Sequence, residues 1–102
     1  MNTPPIYFIR AFYAGARFYV ERDTARMCRA TTIDDLMSGQ VEDIDKVFCV
    51  EDGRWWDASE EIAQAIANEA SAHRIELSQS LLEWMSDHVG LVASYRLGME
   101  AA

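Results

Sequence analysis

The run Lys46-Val47-Phe48-Cys49-Val50, followed by Glu51-Asp52-Gly53 and Arg54-Trp55-Trp56-Asp57, constrains this chain more than any other stretch. A strand-favouring pentapeptide leads into Asp-Gly, the pair that supplies the positive φ angles of a tight two-residue hairpin turn, and an aromatic pair carries the chain back. Successive residues of a strand point to opposite faces of its sheet, so Trp55 and Trp56 must face opposite ways. One can join a core under helices. The other stands on the second face, where tryptophan commonly anchors an interface.

The hairpin runs directly into Asp57-Ala58-Ser59-Glu60, which reads as a capping box: the aspartate takes a free amide of the first turn and Glu60 reaches back to the cap's own amide. Ile62, Ala63, Ile66, Ala67 and Ala70 then form the apolar stripe of a helix running to about His73. Ser78 can cap another helix, with Leu81, Leu82, Trp84, Met85 and Val89 inward and Gly90 as its stop. Residues 91–102 read as a helical extension or a frayed tail.

Upstream, Ile6 to Tyr13 and Arg17 to Glu21 are rich in aromatic and branched residues and flank Ala14-Gly15-Ala16, the pattern of a second hairpin. Ile9, Phe12, Tyr13, Ala16, Tyr19 and Val20 also fit a helical stripe, but the aromatic density favours strands. Asp23 or Thr24 can cap a helix through about Ser38, stopped by Gly39. Thr31-Thr32 weakens its middle, and a break there leaves Thr32 capping a short piece that begins with Asp34 and Asp35. The sum is an α+β domain spanning 1–102, in the order β-β-α-β-β-α-α, with a four-stranded antiparallel or mixed sheet and two to three helices packed on it.

Charge is unevenly placed on this chain of 102 residues with formal net charge −8. Residues 1–30 carry five arginines (Arg10, Arg17, Arg22, Arg26, Arg29) against Glu21 and Asp23, net +3. The densest acidic part, Asp34 to Glu61, holds ten carboxylates against Lys46 and Arg54. Direct nucleic-acid binding is disfavoured, because it needs clustered cations to displace condensed counterions. The first segment does interleave its arginines with Tyr7, Phe12, Tyr13, Phe18 and Tyr19, as a strand platform for single strands would, but those aromatics are also needed for the core. A basic protein partner is electrostatically favoured.

The usual chemistry-bearing patterns are missing. His73 and His88 belong to no metalloprotease motif, the five glycines are scattered and cradle no phosphate, and Cys28 and Cys49 lack zinc-site spacing. Both cysteines read as small buried apolar residues in a reducing cytoplasm, and no run is long and apolar enough for a membrane span or secretory signal. Val47 and Phe48 interrupt any calcium-loop reading of the surrounding acids. The expectation is therefore no cofactor, no metal and no catalysis.

Ser38-Gly39-Gln40-Val41-Glu42-Asp43-Ile44, then Lys46 to Val50, then Trp56-Asp57-Ala58-Ser59-Glu60-Glu61-Ile62-Ala63, resembles a pattern found in small accessory proteins of bacterial temperate phages and prophages. The resemblance covers the middle third of the chain. Some such acidic phage proteins are anti-CRISPR or related host-defence inhibitors that act by binding a host complex. The resemblance thus implies a cytoplasmic, non-enzymatic protein that docks on a basic, nucleic-acid-binding host protein, and it carries over no functional residue, since these inhibitors share no motif. The residues themselves assign docking to the acidic segment (Asp34, Asp35, Glu42, Asp43, Asp45, Glu51, Asp52) with Trp55 and Trp56. The alternative is a self-associating assembly protein, a homodimer in which the +3 segment of one copy meets the acids of the other.

Overall fold

The computed structural model describes residues 4–89. Ile6–Tyr13 forms β1 and Ala16–Tyr19 forms β2, so the first segment is a hairpin rather than an amphipathic helix. Ala14 (φ 51°) and Gly15 (φ 80°) both take positive φ, the turn whose twist matches that of its flanking strands. Asp52 (φ 50°) and Gly53 (φ 78°) repeat this geometry between β3, Ile44–Glu51, and β4, Arg54–Asp57.

Between the hairpins lie a 3-10 turn at Thr24–Arg26 and α1 at Arg29–Met37. Asp23 caps the 3-10 turn as expected, accepting the Ala25 amide at 3.0 Å. The break, however, falls at Met27-Cys28 rather than at Thr31-Thr32, because the Met27 carbonyl leaves the helical ladder to accept the Tyr7 amide of β1 at 2.8 Å. Gly39, at φ 78°, follows the end of α1. Ser59–His73 forms α2, terminated by Arg74 in the left-handed conformation (φ 52°), and Gln79–Val89 forms α3, whose Ser78 accepts the Leu81 amide at 3.2 Å. Only half of the expected capping box is present. Asp57 accepts the Ser59 amide at 2.9 Å, while Glu60 is exposed and makes no return bond among the described residues.

The sheet is antiparallel throughout, in the order β2-β1-β3-β4. β1 and β3 are the long central pair. β2 covers only the Arg10–Tyr13 half of β1, and β4 only the Phe48–Glu51 half of β3. Local groups close the two uncovered half-edges. Val20 donates to the Ile9 carbonyl, the Tyr7 amide goes to Met27, and the Arg22 guanidinium donates to the Tyr7 carbonyl at 2.6 Å. On the other side Val47 donates to Ser59 Oγ at 2.9 Å and accepts from the Ala58 amide at 2.8 Å. Unpaired edges are the usual route to unintended strand addition, and these bonds occupy the Tyr7, Ile9 and Val47 groups of the half-edges within the chain, leaving β2 and β4 as the outer strands of the sheet.

The helices lie on one face of the sheet. Tyr7, Ile9 and Ala11 of β1 and Ile44, Val47 and Cys49 of β3 are buried beneath Ile33 and Leu36 of α1, the Ile62–Ala70 stripe of α2, and Leu81, Trp84 and Met85 of α3. The alanines of α2 shorten its side of the contact and let the helix lie close. Trp56 shares a face with Cys49 but sits on an edge strand beyond the helices, 38% exposed, so neither tryptophan of the pair joins the core. Cys28 is likewise exposed, correcting the expectation that both cysteines are buried. The Val89 side chain, the Gly90 stop and the 91–102 tail lie outside the described residues.

Candidate docking surface

The face of the sheet opposite the helices is aromatic. Alternation and register place Phe8, Arg10 and Phe12 of β1, Arg17 and Tyr19 of β2, Phe48 and Val50 of β3, and Trp55 of β4 on it. Phe48, at the centre, is only 8% exposed although it points away from the main core, because side chains on its own face roof it. Trp55 packs edge-on at 5.3 Å, Tyr19 lies at 6.3 Å, and the Arg10 guanidinium sits over the ring at 4.9 Å. Beside this cluster runs a groove of about 400 Å³ lined by Phe8, Tyr19, Phe48, Val50 and Trp55. Trp55 forms its outer wall, 66% exposed.

The acids expected to dock divide into two kinds. Asp35 is buried, its carboxylate taken by Arg22 at 3.3 Å and by Arg26. Asp45 is the extra residue of an irregularity in the β1–β3 pairing, where Arg10 opposes Lys46 but Ala11 opposes Ile44. Its carboxylate takes Arg10 at 2.7 Å and Arg17 at 3.1 Å, and its carbonyl accepts the Trp84 indole N–H at 3.0 Å. The hydrogen bond from Arg10 to Asp45 holds that guanidinium above its ordinary basicity. Neither aspartate is free to meet a partner.

Lys46 pairs with Asp57 and Arg29 with Glu61, at 3.3 Å and 3.1 Å. Four carboxylates therefore hold six of the nine basic residues of the sequence, including all five N-terminal arginines. The +3 segment meets its acids inside one copy of the chain, which removes charge segregation as an argument for a dimer.

Asp34, Glu42, Asp43 and Asp52 remain exposed and Glu51 half-exposed, none of them in an ion pair among the described residues. They form no single array, for Asp43 and Asp52 flank opposite ends of β3, roughly 30 Å apart at strand rise. At the Asp43 end the backbone is fixed at φ 54°. The Asp43 amide donates to Ser80 Oγ at 3.1 Å and its carbonyl accepts the Phe12 amide at 2.9 Å. There Asp43 shares a shallow concavity of about 250 Å³ with Glu83 and Asp87 of α3, two acids the sequence reading passed over although their i, i+4 spacing puts them on one helix face. At the other end Glu51 and Asp52 precede Trp55 across the hairpin turn.

The structure also divides the aromatic-arginine platform. Tyr7 enters the core, Arg22 and Arg26 serve Asp35, and only Phe12, Tyr19, Arg10 and Arg17 reach the open face. The remaining groups with chemistry are dispersed. Cys28, exposed at the start of α1, has its thiol held below the ordinary value by hydrogen bonding with Thr31, whereas burial pushes the Cys49 thiol up. Burial, then the neighbouring Glu61, pushes the Tyr7 hydroxyl up as well. His73 lies 3.6 Å from Glu69 on the surface, and His88 packs on Trp84 at 5.0 Å between ring centres. Among the described residues no three His, Cys, Asp or Glu side chains are grouped to hold a metal, and no helix is long and apolar enough to cross a membrane.

Phe8, Tyr19, Phe48 and Val50 were not singled out for docking from the sequence. Their alternation is visible within each strand, but only the β1–β3 and β1–β2 register brings them around one groove. No protein-family model, curated protein or solved structure matches the chain.

Proposed function

We propose that the protein is a non-catalytic binding module that docks on the basic surface of another protein, in the manner of the phage accessory proteins its middle third resembles: an inhibitor of a host nucleic-acid-binding complex, of the anti-CRISPR kind. One observation carries this reading. Six cations are consumed by four internal carboxylates, so the free acids face solvent almost uncompensated, and a surface of that sign attracts and orients a cationic partner. The dispersal of Cys28, His73 and His88 supports binding over catalysis, because a nucleophile needs a base within hydrogen-bond reach.

The test follows from the division of the acids. A Glu42→Gln/Asp43→Asn/Asp52→Asn variant removes three free charges, leaves Asp35 and Asp45 in place, and puts asparagine, which tolerates positive φ, at positions 43 (φ 54°) and 52 (φ 50°). Capture of basic proteins from a bacterial host lysate should fall at least about tenfold and lose its salt dependence. Capture by this variant at the wild-type level and with the wild-type salt slope would overturn the reading. Self-association is favoured by a separate observation, the uncovered aromatic face. Light scattering at micromolar concentration, giving either 11.6 kDa or twice that mass, decides it.

A further inference from the structure

We infer that the groove beside Trp55 receives an arginine side chain of the partner protein, stacked on the Trp55 ring with its aliphatic stem against Phe8, Val50 and Tyr19; this rests on the docking function just proposed and names the chemistry of its contact. Three features of the face select that occupant. The first is shape and composition: a strip of about 400 Å³ walled by three aromatic rings, a tryptophan and a valine suits a long apolar stem ending in a flat cation. The second is precedent on the same surface, where Arg10 already lies over Phe48 at 4.9 Å and Arg17 over Phe12 at 5.2 Å. Trp55 has the strongest cation-binding ring of the set, and no cation of the chain occupies it among the described residues.

The third feature is charge. Arg10 and Arg17 on this face share the single Asp45 carboxylate and Lys46 pairs with Asp57, while Asp52 stands unpaired on the turn that leads to Trp55; alternation turns Glu51 and its cross-strand neighbour Arg54 to the other face of the sheet. A nucleic-acid strand stacking on the same rings would bring its phosphates to a molecule of net charge −8 whose cations on this face, Arg10, Arg17 and Lys46, are all engaged by carboxylates. A second copy of the chain would bring another net −8. Arginine fits better than lysine because its planar, weakly hydrated guanidinium stacks on an aromatic face with little loss of hydration.

Titrating the full chain with a decapeptide of alternating glycine and arginine, and reading the tryptophan indole N–H resonances, tests the assignment. The Trp55 signal should shift, while that of buried Trp84, bonded to the Asp45 carbonyl, should not. Replacing arginine by the isosteric but uncharged citrulline should weaken binding at least about tenfold, as should Trp55→Ala, with Trp55→Phe recovering part of the affinity. Circular dichroism identical to wild type shows that the variants fold.

Absence of a Trp55 shift at millimolar peptide overturns the inference. So does equal binding of the citrulline peptide, an equal shift with oligothymidylate, or a doubled mass that conceals Trp55. The two proposals fail separately. If the Glu42→Gln/Asp43→Asn/Asp52→Asn variant loses its host partner and Trp55→Ala keeps it, the arginine groove falls and acidic docking stands; the converse result removes acidic docking.

Discussion

Asp35 and Asp45 each hold two arginines, yet their surroundings make them unequal. The Asp35 carboxylate and the Arg22 side chain are nearly sealed from water, 4% and 6% exposed, and Arg22 also donates to Thr32 Oγ1 and to the Arg26 and Tyr7 carbonyls. Asp35→Ala leaves a buried guanidinium without its counter-charge and should cost about 3 kcal/mol in urea unfolding. Asp45→Ala releases side chains that reach solvent, so a clearly smaller loss is expected. Asp57 gives a pH signature. Its burial alone would raise its pKa, but hydrogen bonds from the Ser59 hydroxyl and amide, with Lys46 alongside, hold it below the ordinary carboxylate value. The folded state then binds fewer protons than the unfolded chain, so this stabilisation is complete above about pH 4 and fades as pH falls further. The stability gap between wild type and Asp57→Asn should accordingly shrink between pH 6 and pH 3. Sequence placed Asp35 and Asp45 in the docking set because a carboxylate's spacing along the chain carries no sign of burial. Their arginine partners lie from 9 to 35 residues away and are fixed only by the tertiary fold.

At the scale of elements, what was legible was what is locally determined. The Asp52-Gly53 turn, the α2 stripe and the Ser78 cap depend on residues within a few positions of one another. The second half of the capping box failed because Asp57 stays in β4, paired with Phe48, and the helix is capped at Ala58, so Glu60 falls at its second residue and not its third. The early break before α1 was equally hidden, since its cause is a β1 amide twenty residues upstream. Trp55 and Trp56 were read correctly as facing opposite ways, but their exposure depends on how far the helices extend over an edge strand. Ser59→Ala tests the closure of the β3 edge. The Val47 amide is fully buried, and leaving it without a partner should cost about 1–3 kcal/mol by denaturant unfolding. Amide exchange at Val47 should quicken in the same variant, while exchange at Tyr7, whose amide donates to the Met27 carbonyl on the opposite side of the sheet, stays near the wild-type rate.

For the whole molecule, charge and the aromatic face act in opposition. At neutral pH a net charge of −8 opposes the approach of a second copy to the exposed Trp55, Tyr19 and Phe12. Near pH 4.5, the isoelectric point, that repulsion vanishes and the face should drive association. Light scattering should therefore show the apparent mass rising between pH 7 and pH 4.5 for wild type and rising less for Trp55→Ala. The internal pairing of the five N-terminal arginines also has a consequence in time. A ribosome makes the chain from its N-terminal end, so Arg10, Arg17 and Arg22 leave the exit tunnel before Asp35 and Asp45 do. During that interval the nascent segment is a cation beside anionic ribosomal RNA. Settlement of the first hairpin waits for acids supplied later by the same chain.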